Sequence, residues 1–281
     1  MEFNNLKTYC ITSENVNHLK NLNLKVIVGG AHYKKEKFPE NWLKDNLNNN
    51  ISAKNKNFGS LTSIYWIWKN ELNKYKENTW IGISHYRRFW LKDKHDKIIS
   101  LQNLNENLLD NILDHNLDFE AFVASSLNLT GYKLIKLLKK APKNILYDPS
   151  ILINKNKHNI KLHFDMFHLY QGLEKAAKVM NSEFKNDFLN YIHTQTELFS
   201  PFSIFILKKN KFNELCEATF EWIHNCENIF DINELHGHGQ IRLFDYLAER
   251  FFSFWIKKNT NYKVCPFVFF DPRLSGSSII Q

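Results

Sequence analysis

Trp80–Trp90 reads WIGISHYRRFW, and this stretch decides the fold. An apolar run stops at His85-Tyr86-Arg87-Arg88 and resumes at Phe89-Trp90. The run has strand character, so a histidine, a tyrosine and two arginines sit at the carboxyl end of a buried strand. Adjacent cations are costly to bury unless an anion meets them. In open α/β sheets ligands bind outside the carboxyl ends of strands. The guanidinium fork suits phosphate oxygens, so two arginines there could clamp a diphosphate, with Tyr86 and His85 adding hydrogen bonds or stacking. The competing reading is a surface pair salt-bridged to nearby carboxylates.

The rest of the chain fits around such a strand. Its 281 residues allow one large domain or two small ones. Hydrophobic residues at 43% and aromatics at 15% supply a core and argue against disorder. Lys+Arg 37 against Asp+Glu 29 gives a net charge of +8, which favours anionic partners. Abundant Lys, Ile, Asn and Phe also fit a composition bias, which blunts that inference. Cys10, Cys216, Cys226 and Cys265 form no C-x-x-C pair, so reduced thiols of a cytoplasmic protein are expected. The opening MEFNNLKTYC has no apolar segment, so no signal peptide is expected, and no run is apolar enough to span a membrane.

KTYCIT and LKVIVGGA read as early strands, the second ending at Gly29-Gly30, where backbone can approach a ligand. FPENWLKDNLNNNISAKNKNFGS reads as a long polar loop. Ser60 is the expected N-cap of a helix with Leu61, Ile64, Tyr65, Trp68 and Leu72 on its core face and Thr62, Trp66 and Lys69 on another. FEAFVASS and FSIFILKK read as strands. Helices are expected over 158–180, over NDFLNYIHTQ, over KFNELCEATFEWIHNC and over 239–258. The last has Arg242, Asp245 and Glu249 on its polar face. Interleaved strands and helices predict one α/β domain over 1–281, with a more helical C-terminal half.

Three segments, N-I-S-x-K-N (Asn50, Ile51, Ser52, Lys54, Asn55), L-T-x-x-Y-W-x-W-K-N (Leu61 to Asn70) and G-x-x-H-Y-R-R (Gly82 to Arg88), resemble a bacterial glycosyltransferase family. That family occurs in capsule and exopolysaccharide gene clusters and was long filed as a domain of unknown function. The early VGGA and the late FSIFILKK and YLAER also look like family elements, so the resemblance covers most of the chain. Departures are Asn49 in place of an acidic residue, Gly59-Ser60 in place of a glutamate or cysteine, and SPFSIF before the late strand.

The resemblance implies an A-type-like (Rossmann-like) glycosyltransferase domain moving a sugar from a nucleotide-diphosphate donor, most simply a UDP-sugar, to a growing capsular or surface polysaccharide. Residues 1–130 would form the nucleotide-sugar half and 131–281 the acceptor half. The A-type fold usually carries an Asp-x-Asp that holds a divalent cation, Mn or Mg. Here His85-Tyr86-Arg87-Arg88 stands at that place, so guanidinium groups could replace the metal, with Lys69 assisting; the cation is the one cofactor left open. Substrate-binding candidates are Gly29, Gly30, Asp45, Asn50, Ser52, Lys54, Asn55, Thr62, Trp66, Lys69, His85, Tyr86, Arg87, Arg88 and Arg242.

An inverting transfer needs a general base. Asp165 and His163 of HFDMF match a family pattern and are catalytic candidates. Glu249 is a third, against a plain helix-surface ion pair. HGHG (His236–Gly239) lacks a third metal ligand at a recognisable spacing and reads as a loop. Other readings are a scaffold of a polysaccharide assembly complex and a nucleic-acid-binding module. The second is disfavoured by scattered basic residues and the lack of a recognisable motif. The acceptor is expected to be lipid-linked, with peripheral contact to the inner membrane or to other capsule enzymes.

Overall fold

The computed structural model describes residues 5–93, 99–113, 116–271 and the backbone of 278–280. Strands are β1 (Leu6–Thr12), β2 (Lys25–Val28), β3 (Leu43–Lys44), β4 (Trp80–His85), β5 (Arg88–Trp90), β6 (Ala121–Val123), β7 (Leu127–Asn128), β8 (Glu197–Leu198), β9 (Phe205–Lys208), β10 (Tyr262–Val264), β11 (Phe267–Phe270) and β12 (Ser278–Ile280). Helices are α1 (Asn55–Phe58), α2 (Leu61–Asn70), α3 (Leu104–Asn107), α4 (Leu134–Lys140), α5 (Pro142–Tyr147), α6 (Ile160–Phe167), α7 (Gly172–Lys178), α8 (Ser182–Thr194), α9 (Lys209–Glu227), α10 (His238–Ile241) and α11 (Leu243–Asn259).

The main sheet runs β10-β6-β9-β4-β1-β2-β3. β1 pairs parallel with β2 on one side and β4 on the other, and β9 lies antiparallel between β4 and β6. The registers Thr12↔Val28 and Ile11↔His85 bring the carboxyl ends of these three parallel strands to one edge. From β1 the chain steps outward through β2 to β3 and then crosses back to β4 on the other side of β1, which makes this edge a topological switch point, the usual place for a ligand in such sheets.

Alternate side chains of the central strands enter different cores, as a period of two requires. Tyr9, Ile11, Ile27, Ile81, Ile83, Phe205 and Leu207 pack under α2, α9 and α11. Cys10, Val26 and Val28 face the opposite side with Phe89, Val268 and Phe270. Sheet strands buried on both faces read as continuous apolar runs, which is why they were legible. The C-terminal half is the more helical, with α6–α9 and α11 forming most of one layer. β9, β10 and β11 return from that half into the sheet, so the two halves share it.

Several elements differ from expectation. The segment 38–60 holds β3 and α1, and the helical region 158–180 breaks at His168 into α6 and α7. The helix expected over 239–258 breaks at Arg242, between α10 and α11. Ser60 does not cap α2 through its side chain, which instead donates to Asp245. Trp66 is buried, with its indole N–H donated to Leu47 O at 2.8 Å. Trp68 is only half-buried, stacked on Phe220 of α9. α2 is sandwiched between sheet and α9, so it has no single apolar stripe. All four cysteines are free and buried. Among the described residues no helix is long and apolar enough to cross a membrane.

Candidate active site

A cleft of about 110 Å³ opens at the switch point. Thr12 and Ser13 at the end of β1, Gly29 just after β2 and His85-Tyr86 at the end of β4 form its sheet side. Asn55, Gly59 and Ser60 close one wall, and Arg242 and Asp245 at the start of α11 close the other.

The turn that opened the sequence argument is tightly held. His85 and Arg88 are cross-strand partners of the β4–β5 hairpin, so Arg88 begins a strand rather than a loose loop. Tyr86 N–H donates to Ile11 O, and Phe270 N–H donates to Arg87 O. His18, kept neutral by burial, donates Nε2–H to Tyr86 O at 2.7 Å. Arg87 Nε lies 3.2 Å from the buried Asp271 carboxylate, and its guanidinium stands 4.8 Å over the Tyr86 ring. The Arg88 guanidinium stands 4.1 Å over the Phe202 ring and 5.4 Å from Phe269. Burial lowers its pKa while Glu249 pulls the other way, and an arginine stays charged throughout. Burial, reinforced by the Arg88 charge, holds His85 down at about 4, so it is a neutral imidazole at pH 7.

Arg242, just before α11, and Asp245 in its first turn supply the opposite wall, with Glu249 one turn further along the helix. Arg242 is exposed at the cleft. Asp245 Oδ1 accepts from Ser60 N–H (3.1 Å) and Ser60 Oγ–H (2.7 Å), and no hydrogen bond reaches its Oδ2 among the described residues. Burial pushes the Asp245 carboxyl up to about 6, against the pull of the Ser60 bonds and Arg242. Gly59 is required beside it: φ is +48°, and a Cβ there would collide with the Asp245 carboxylate. Glu249 accepts from Phe202 N–H at 3.1 Å and pairs with Arg250 at 3.0 Å, so both its oxygens are engaged.

The loop between β8 and β9 lies against this group. Ser200, Phe202 and Ser203 all have positive φ, of 44°, 72° and 53°. Non-glycine residues pay strain for that geometry, and such strain concentrates at functional sites. Here it places the Phe202 ring on Arg88 and its N–H on Glu249.

Most other residues singled out in the sequence lie outside the cleft, Asn55 excepted. Asp45 is fully buried and accepts four hydrogen bonds, from Gly30 N–H, Ala31 N–H, Ser52 Oγ–H and Thr62 Oγ1–H, at 2.5–3.0 Å. A carboxylate so saturated has no lone pair directed at a ribose or base. Asp45, Ser52 and Thr62 therefore clasp the Gly29-Gly30 turn to α2. Gly30 is left-handed at φ +65°, and a Cβ there would strike Asn55. Asn55 lines the cleft while its amide donates to Gly59 O and Thr62 Oγ1. Asn50 braces its own loop through Asn46 O and Asn48 O. Lys54 pairs with Glu227 at 2.6 Å, and Lys69 sits 3.2 Å over the Trp68 ring.

Asp165 and His163 leave α6 in different directions. Asp165 accepts from Asn144, from Gln171 N–H and from Lys161, so it ties α6 to α5 and α7. His163 Nδ1 and His168 Nε2 both accept from the buried Arg250 guanidinium, at 3.1 and 3.2 Å. Burial and that cation hold them down at about 2 and about 3, so neither serves as a base from within this cluster. Neither Asp165 nor His163 lines the cleft. The HGHG stretch is a loop only in its first half: it bends at Gly237 (φ +73°) and enters α10 at His238, and Gly239 O accepts from His168 Nδ1–H.

Among the described residues no group of three or more His, Cys, Asp or Glu side chains could hold a metal ion. In the cleft the acidic donor set reduces to one Asp245 oxygen, with Arg242 lining the same walls and Arg88 behind them. Such surroundings fit an anion better than a divalent cation.

Comparison with known proteins places the chain. Residues 7–260 match a family described as a domain of unknown function, DUF4422. The chain belongs to the DUF4422 family. Its fold is that of a glycosyltransferase structure: it aligns with the apo structure of WbbM, a bifunctional glycosyltransferase, at a TM-score of 0.67 and 18% identity. The alignment covers 94% of this chain and 45% of that one, so the chain spans under half the length of WbbM. No curated protein sequence matches. Within this DUF4422 chain, sequence reasoning missed Asp245 as a site residue. The Gly59-Ser60 departure was the available signal, because those two residues make room for its carboxylate and bind it.

Proposed function

We propose that this DUF4422 chain is a glycosyltransferase that moves a sugar from a nucleotide-diphosphate donor, most simply a UDP-sugar, to a growing surface polysaccharide on a lipid carrier. The observation that carries the reading is the cleft itself: a switch-point edge, Arg242, a neutral histidine backed by Arg88, and a half-used carboxylate meet there. The diphosphate lies against Arg242, with Tyr86 and the Gly29 backbone beside it. Arg88 stabilises the leaving charge from behind His85, and its aromatic bed limits screening by water. Positive charge fixed where negative charge develops is worth most when it needs no rearrangement. Arg87 positions the turn and does not meet the donor.

Asp245 is the general base of this reading, in place of Asp165, His163 and Glu249. The acceptor hydroxyl oxygen bonds to the anomeric carbon, the bond from that carbon to the diphosphate oxygen breaks, and the hydroxyl proton passes to Asp245 Oδ2. A base with a pKa of about 6 is suited to neutral pH, being deprotonated yet still basic. Residues 131–281 supply the acceptor side, where a groove of about 700 Å³ runs past Tyr170, Gln171 and Glu174. No cation takes part in this reading.

The test is a screen of UDP-, GDP- and CDP-sugars for binding and slow hydrolysis, with and without EDTA. One donor class should bind and turn over, with EDTA changing neither. Complete loss with EDTA, restored by manganese, would replace the arginines with a metal. Absence of any nucleotide binding would favour the scaffold reading.

A further inference from the structure

We infer that residues 132–157 form a docking surface for a bilayer containing anionic lipid. Among the described residues, six of the fourteen exposed large apolar side chains lie in the twenty positions 134–153. Leu134, Ile135 and Leu138 of α4 are each more than half exposed, while Leu137 is the buried side chain of that helix and Ala141 is buried just beyond it. Leu146 and Tyr147 of α5 and Ile153 beyond it are at least 80% exposed. Single exposed leucines need no explanation, but a run of them on consecutive short elements marks an interaction surface.

Charge selects the partner. Residues 133–157 contain seven lysines, no arginine and one acidic residue, Asp148. Asp148 is itself paired with Lys157 at 2.5 Å. Aliphatic side chains interleaved with lysine, with a tyrosine among them, suit the boundary between headgroups and acyl chains. Lysines beside an acidic leaflet add attraction that falls off with salt. A nucleic-acid surface would instead offer aromatic platforms with arginine. The surface deepens the proposed function, since it is where a lipid-linked acceptor would be met, and it rests on that reading for this role only.

The experiment is flotation of the full chain with vesicles of phosphatidylcholine, with or without phosphatidylglycerol. Binding should be at least about tenfold tighter to the acidic vesicles and should weaken with salt. Replacing Leu134→Ser with Ile135→Ser, or Leu146→Ser with Ile153→Ser, should weaken it by about tenfold or more. Ile232→Ser and Val264→Ser, exposed elsewhere, should leave it unchanged. Equal binding by all variants, or no preference for acidic vesicles, overturns the assignment. So does a dimer that dissociates on the same substitutions without any vesicle binding, because the face would then belong to a second copy. The vesicles carry neither donor nor acceptor, so failure here is distinguishable from failure of the transferase reading.

Discussion

Two aspartates stand behind the same edge of the sheet and do opposite things. Asp45 is fully buried, with four donors on its two oxygens. Asp245 has two donors on one oxygen and none on the other, and burial pushes its carboxyl up to about 6. The difference is between a carboxylate used up by the fold and one held ready by it. Saturation stabilises a turn, whereas incomplete satisfaction in a shielded place produces a group that can exchange a proton.

Substitution separates the two roles. Asp245→Asn keeps the shape and the Ser60 bonds but cannot take a proton. Steady-state turnover of the identified donor should fall by about 10²–10⁴-fold with little change in nucleotide affinity. Turnover by that variant near the wild-type rate would move the base elsewhere. Asp45→Ala should leave four donors buried without an acceptor and cost about 3–5 kcal/mol in denaturant unfolding. If it lost activity while keeping its stability, Asp45 would belong to the site after all.

Proton linkage sharpens the contrast further. The folded-state pKa of Asp245 is raised, so its protonated form is favoured by folding. Its stabilising contribution is complete below the ordinary pKa of 3.8 and is lost as pH rises through about 6. At pH 7.5 Asp245→Asn should therefore be the more stable protein, by on the order of 2 kcal/mol, with the gain vanishing near pH 4. Thermal melts of both proteins across that range measure it, and a variant less stable at every pH would contradict the burial argument. The smallest effect distinguishes the arginines. Arg242→Ala should raise KM for the donor about 10–100-fold. Arg87→Ala should act on stability, by about 2 kcal/mol, with KM unchanged in the folded fraction.

The sheet was legible because β2, β4 and β9 carry short runs of Ile, Val, Leu and Phe, and β1 holds Tyr9, Cys10 and Ile11 together at its centre. The cleft was legible only in part. His85, Tyr86, Gly29, Asn55 and Arg242 do line it, but where the two adjacent arginines point depends on Asp271 and Phe202, far away in the chain. Asp45 looked like a site residue because its four donors are scattered from Gly30 to Thr62, beyond any local pattern. Asp165 and His163 are two positions apart on a helix, about 200° around its axis, so they could not address one atom. That arithmetic was available from the sequence alone. Trp66 and Trp68 exchanged roles because α2 is covered on two sides, which erases the polar face that periodicity assumes.

The central claim is that the cleft beside Arg242 and Asp245 holds a nucleoside diphosphate. Titrating UDP, GDP and CDP against the melting temperature, with wild type and Arg242→Ala in parallel and EDTA present, tests it most directly. The account predicts that one nucleotide raises the wild-type melting temperature by about 5 °C at a hundredfold excess over its Kd. The variant should then need a correspondingly higher concentration. No shift with any nucleotide, or the same shift in the variant, would contradict it.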